Sequence, residues 1–316
     1  SKWFVDVGNR GNRIFAPTHI QDMRLPEREG TIDDIKTPST VTDFDTFNAV
    51  LINSVSHLMV MDRKTGRIYR NIRFDDIIAT DAGVSDGTSF FVGTGNRMYC
   101  ALKLLPNVIT WRAELGQIVT TPMAYFDRKI YMGTRDGLFH CADVDRYGAK
   151  RWDRKLRGSL TEKIHADVRG VFLACNDNRI YGFNPYTGEN LWPPVVVKGS
   201  VGGSIQVGEQ TIFQYIKDDG LYAVNLTNGD VRWKMQAGRQ VLAVIDGSVY
   251  VLDDKKKLHK VNEVTGKTEV VVSLHGFDFY ANNTSAPAIY TAMRAGQVFC
   301  IRPKSAGRLT VEKLTK

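Results

Sequence analysis

The chain has 316 residues, 43% of them hydrophobic and 24% charged, an ordinary globular balance with enough apolar material for a large core. No run of about 18 apolar residues occurs, which excludes a membrane-spanning helix. The net charge of +8 favours acidic partners, but the basic residues are scattered and no nucleic acid is expected.

Ser1-Lys2-Trp3 enters directly into a strand-type segment, so a processed or trimmed N-terminus is expected, with any signal peptide or lipid anchor removed. Trp3 to Val7 reads as the inner strand of a first unit. The clearest unit lies further on. Thr121 to Tyr125, Lys129 to Thr134, Gly137 to Asp143 and the stretch through Gly148 to Arg151-Trp152 are four short β-type segments separated by turn residues. The same template recurs along the chain. Its second segment places a large apolar residue at Phe15, Leu51, Phe91, Tyr131, Leu173, Phe213, Tyr250 and Tyr290. The turn before its fourth segment carries Gly30, Gly66, Asn107, Gly148, Gly188, Gly229, Gly266 and Gly307. Both columns shorten in the same two places, so they report one repeat.

These columns predict eight units, at approximately 1–37, 38–75, 76–116, 117–158, 159–198, 199–238, 239–275 and 276–316, within a single domain over 1–316. Four-stranded units of this length suit radial stacking, and the expected fold is an all-β, eight-bladed β-propeller of four-stranded antiparallel blades. Leu309 to Leu314 supplies the outer strand of the last blade, closure is by packing of first blade on last, and a monomer is expected.

The chain must reverse direction at the glycine column, where positive φ suits glycine. Four residues beyond three of these glycines stands Trp152, Trp192 or Trp233, and Trp111 takes the same place after Asn107. Flat side chains on outer strands are expected to cover the seams between neighbouring sheets. Cys100, Cys141 and Cys300 fall in one third-strand column with Arg24, Val60, Gly182, Ala223 and Lys260, while Cys175 sits in a second strand at the position of Gly133. With no CxxC spacing, all four read as free thiols serving as small hydrophobes.

The runs Gly182-Phe183-Asn184-Pro185-Tyr186-Thr187-Gly188-Glu189-Asn190-Leu191-Trp192 and Ala223-Val224-Asn225-Leu226-Thr227-Asn228-Gly229-Asp230-Val231-Arg232-Trp233 resemble the PQQ-like repeat (pyrroloquinoline quinone), also called quinoprotein-like. The resemblance covers essentially the whole chain. Within that family the sequence lacks the Cys-Cys dipeptide and the long insertions of the quinone-dependent dehydrogenases. It is similar instead to the BamB-type branch of outer-membrane assembly scaffolds. That resemblance implies a periplasmic or cell-envelope location and a protein partner there; no residue roles carry over.

Candidate chemistry is sparse. His140 and His259 occupy equivalent third-strand positions in different blades and are not expected to share a metal. His165 lies on an inner strand near Lys163 and Asp167 and reads first as a hydrogen-bonded structural residue. Asp43, Asp81, Asp86 and Asp167 sit where turns use Asp to bond local backbone. Gly93-Thr94-Gly95 and Gly202-Gly203 are too short, and wrongly placed, for a phosphate loop. Lys255-Lys256-Lys257 reads as a solvated turn.

The leading expectation is therefore a non-catalytic protein–protein interaction scaffold of the bacterial cell envelope in outer-membrane assembly, with no cofactor, no metal and no catalytic residue. Arg157, Lys163 and Arg239, near fourth-to-first-strand connections, are the candidate partner-binding residues on a positive face for an acidic partner. Two alternatives stay open: a small-molecule-binding or quinone-dependent enzyme using the central channel, and the sensor domain of a larger receptor.

Overall fold

A computed structural model of the chain describes residues 13–15, 18–26, 44–62, 67–104, 107–284 and 288–302. The chain is an all-β propeller of four-stranded antiparallel blades. Thr18–Pro26, Phe44–Asn53, His57–Asp62 and Ile68–Arg73 make the first sheet. Val84–Ser85, Ser89–Gly93, Met98–Lys103 and Val108–Glu114 make the second. The third holds Ala124–Phe126, Lys129–Gly133, Leu138–Asp143 and Ala149–Lys155. His165–Asp167, Gly170–Cys175, Arg179–Phe183 and Val195–Val196 form the fourth. Gln206–Val207, Thr211–Ile216, Gly220–Asn225 and Val231–Met235 form the fifth. In the sixth are Gly238–Ile245, Ser248–Asp253, Lys257–Asn262 and Thr268–Ser273, and in the seventh Phe279–Ala281, Ile289–Ala292 and Val298–Ile301. Contacts divide the chain into two compact units, 1–135 with 139–153 and 136–138 with 154–316.

The described residues thus form seven sheets, not the expected eight. The difference arises at the start. Thr18–Pro26 pairs antiparallel with Phe44–Asn53, from Thr18 opposite Leu51 to Pro26 opposite Phe44. Phe15 donates its N–H to the Asn53 carbonyl at 2.9 Å. Phe15 and Leu51, read as second strands of separate blades, therefore belong beside one another in one sheet. A strand needs a partner for its backbone groups, and Thr18–Pro26 supplies one to Phe44–Asn53. The expected strands at Trp3 to Val7 and Leu309 to Leu314, with the closure built on them, lie outside the described residues.

The second and third strands of each central sheet are buried on both faces. Lys129–Gly133 is buried throughout and Gly170–Cys175 likewise. The register corrects two positions in the columns. Phe91 faces Ala101 rather than Cys100, and Gly182 faces Phe172 rather than Leu173. A one-residue slip moves a side chain to the opposite face. Tyr131 lies opposite Cys141 and Phe213 opposite Ala223, so the two columns share one register in those sheets. Cys100, Cys141 and Cys175 are buried free thiols, and Cys300 is half-buried.

Three of the four tryptophans, Trp111, Trp192 and Trp233, pack as anticipated between neighbouring sheets, while Trp152 makes ring contacts with Tyr131 and Phe139 of its own sheet. A Cβ on Gly148 would lie 2.5 Å from the ring of Trp111, one on Gly229 2.7 Å from Trp192, and one on Gly266 2.6 Å from Trp233. These glycines have φ of +75°, +78° and +73°. Only glycine meets both demands, and each turn admits the ring of the preceding sheet. The indole N–H of Trp192 donates to the Leu226 carbonyl at 3.2 Å, and that of Trp233 to the Glu263 carbonyl at 2.9 Å.

Candidate functional site

In the second unit, the fifth and sixth sheets, with Gly202 to Ser204 and Asn282 from adjoining segments, line an open cavity of about 360 Å³. Its floor is Phe213, Leu221 and Val241, each 1–2% exposed and part of the core those sheets share. One wall is the Gly202-Gly203 pair. Gly202 lies so close to Tyr215 that a Cβ would stand 2.4 Å from its ring, while a Cβ on Gly203 would meet nothing within 4 Å. That close approach accounts for Gly202, and a φ of +152° accounts for Gly203. Arg239 lies over the Tyr215 ring, 5.2 Å from its centroid. Its guanidinium donates to the carbonyls of Gln236 at 2.8 Å and Gly238 at 3.1 Å and pairs with Asp254 at 3.3 Å. Ser204, Gln206, Gln240 and Asn282 complete the lining. The Gln240 amide N–H groups reach the Tyr280 carbonyl at 3.4 Å and the Asn282 side-chain oxygen.

Of the three candidate partner-binding residues, Arg157 and Lys163 are exposed in the connection 156–164 between the third and fourth sheets. Among the described residues neither forms an ion pair. Arg239 stands on the first strand of the sixth sheet and is half-buried at the cavity. No described contact joins the three. Sequence reading missed Tyr215, Gln206, Gln240 and Asn282; the one available signal was the glycine pair at 202–203.

The other candidates are occupied locally. His165 Nε2 meets Asp167 at 3.0 Å, and its ring stacks on Phe172. Burial pushes the His165 imidazole down, against the opposing pull of Asp167. Burial also works to raise the Asp167 carboxyl, but the hydrogen bonds from Arg169 and His165 prevail and hold it at about 2. Arg169 in turn donates to the carbonyls of Gly208 and Glu209, tying the fourth sheet to the fifth. Asp86 accepts from the N–H groups of Thr88 and Ser89, and Asp81 from that of Ala82. Asp43 lies outside the described residues. His259 meets Asp253 at 2.9 Å. Asp253 also accepts from the N–H groups of Lys255 and Lys257, so the lysine cluster is a turn held by one carboxylate.

His140 is buried between the second and third sheets. Tyr99 donates its hydroxyl proton to the Gly148 carbonyl at 2.6 Å, so the His140 Nε2 at 3.1 Å donates to the Tyr99 oxygen. Burial pushes His140 down to about 4 and Tyr99 up to about 12. Among the described residues no three His, Cys, Asp or Glu side chains gather in a way that could hold a metal ion.

Comparison with known proteins adds the family. A profile described as outer membrane protein assembly factor BamB matches residues 57–204, 106–239 and 176–305. The curated outer membrane protein assembly factor BamB of Nitrosomonas eutropha is 25% identical over 130 residues, 39% of this chain. That match spans 31% of the relative's own length. Among solved structures, BamB from Moraxella catarrhalis has a TM-score of 0.64 at 18% identity, covering 81% of this chain and 80% of that one. A chain of the mitotic checkpoint complex has 0.62 at 12% identity, covering 88% and 100%. At such identities the likeness to solved structures is one of fold.

Proposed function

Because the chain belongs to the BamB family, whose profile it matches between residues 57 and 305, we propose that it is a non-catalytic protein–protein scaffold of the bacterial cell envelope, acting in outer-membrane assembly. That family match is the observation that carries the reading. The physics agrees with it: sheets locked by buried second and third strands and by tryptophan–glycine seams hold their connecting loops rigid for recognition. The carboxylates Asp81, Asp86 and Asp167 are spent on local hydrogen bonds, which weighs against acid–base chemistry.

On this reading the partner is a protein of the assembly machinery, met on the periplasmic side. Arg157 and Lys163, exposed and without ion pairs among the described residues, form the electrostatic part of the contact with an acidic surface; Arg239, paired with Asp254, stands apart from them on its own sheet. Co-purification from envelope extracts tests this. The wild-type chain brings down outer-membrane assembly proteins, and exchanging Arg157, Lys163 and Arg239 together for Glu weakens that recovery. Unchanged recovery rejects the basic face. No association of the wild-type chain with assembly proteins rejects the scaffold.

A further inference from the structure

The cavity at Tyr215 has the make-up of a socket for one anchoring side chain. Phe213, Leu221 and Val241 at its base are fixed in the core, each 1–2% exposed, and the half-buried Tyr215 ring stands beside them in the lining. Its volume of about 360 Å³ is at the small end for ligand sites, which run from roughly 300 to 1,000 Å³. Charge is not what it offers, because Arg239 is neutralised by Asp254 and by two backbone carbonyls.

What it does offer is a paired donor and acceptor. The Gln240–Asn282 hydrogen bond uses one amide's N–H and the other's oxygen. It leaves the Gln240 oxygen and the Asn282 NH₂ without partners among the described residues. The Tyr280 carbonyl, bonded to the same Gln240 nitrogen, fixes that amide's orientation, so an acceptor remains on Gln240 and a donor on Asn282. A peptide unit carries the complementary pair, a carbonyl and an N–H. The Tyr215 hydroxyl and the Gln206 side-chain oxygen are likewise unpartnered among the described residues.

We propose that this cavity receives a large apolar side chain, aromatic or leucine-like, from an extended segment of a protein partner, while Gln240 and Asn282 bind that segment's main-chain amides. The choice of a protein as occupant rests on the scaffold reading. An anion is disfavoured by the neutralised guanidinium. Buried anchors of this kind dominate the affinity of protein contacts, and the surrounding amides set the direction of the bound strand.

The test uses the full chain, methyl-labelled for NMR, with N-acetyl-phenylalaninamide as probe. Saturable shifts are expected at the Leu221 and Val241 methyls. Gln240→Ala weakens the probe about fivefold, as loss of a hydrogen bond worth ~1 kcal/mol requires. Ser204→Trp, which crowds the rim, abolishes the shifts, and Gln240→Ala serves as the second variant should that substitution disturb folding. No shift at these methyls overturns the site. Methyl glucoside moving the same methyls at lower concentration than the peptide amide overturns the peptide assignment in favour of a sugar. In co-purification, Ser204→Trp is expected to lose the assembly partner. Partner recovery retained after probe binding is lost overturns the cavity's role in docking and leaves the scaffold standing. A wild-type chain that binds the probe but no assembly protein sinks the scaffold reading instead.

Discussion

The fifth and sixth sheets share one apolar core, with Trp233 and Tyr215 both half-buried against it and a cavity beside Tyr215. Both places put a glycine against an aromatic ring: Gly266 against Trp233 and Gly202 against Tyr215. In both, the missing Cβ lets neighbouring segments approach. The difference lies in what fills the rest of the layer. The indole is broad and spends its one N–H on the Glu263 carbonyl, leaving nothing unpaired. The phenol is narrower, its hydroxyl finds no partner among the described residues, and polar side chains complete the rim. Gly266 against Trp233 is a contact between sheets, whereas Gly202 donates its N–H to the Tyr215 carbonyl and packs on that ring within the fifth sheet, which leaves space on the ring's other side.

The largest effect expected from this contrast is at a sealed seam. Trp192 is 4% exposed, bonds the Leu226 carbonyl and lies on Gly229. Trp192→Ala should cost about 3–5 kcal/mol in urea unfolding. A cost near 1 kcal/mol would mean that the seams are not the main fastening.

Acidification probes the sealed seam between the second and third sheets. His140 takes up a proton only near pH 4 when folded, against about 6.5 when unfolded. Between those values the unfolded chain binds more protons, so its contribution to stability falls as pH falls and is unaffected above about 6.5. The full loss below pH 4 is about 3 kcal/mol. The urea midpoint should drop through this window, and His140→Gln should flatten much of that drop.

The two glycine environments are separated by a pair of substitutions in the sixth sheet. Gly266→Ala meets both a positive φ of +73° and the Trp233 ring, and should cost about 2–4 kcal/mol. Gly247→Ala, at φ +69° with nothing within 4 Å, meets the backbone term alone and should cost about 1–2 kcal/mol. Equal costs in thermal unfolding would show that ring contact adds nothing. The smallest effect is expected at the open site. Tyr215→Phe removes a hydroxyl without a partner among the described residues and should change stability by less than about 0.5 kcal/mol.

Much of the architecture was legible in the residues themselves. The recurring turn glycine with a tryptophan four residues on announced the seam, because a positive φ and a large ring impose residue types that few other arrangements require. The buried second and third strands were equally plain, since strands buried on both faces read as continuous apolar runs. Blade number was less legible. Phe15 and Leu51 each carry the local signature of a second strand, and local signatures do not say which segment will pair with which.

The candidate site was the least legible part. Arg239 was legible as a basic residue near a connection, but its place over Tyr215 and beside Asp254 was not. Gln206, Gln240 and Asn282 are ordinary polar residues far apart in sequence, with no motif to join them. Repetition, turn chemistry and buried periodicity are local properties, so the amino-acid order alone determined the repeat and its seams. Strand partnership at the start of the chain, the one-residue register slips and the assembly of the cavity depend on which distant segments come together. Pairing and packing across sheets settle those matters, and only the tertiary structure decided them.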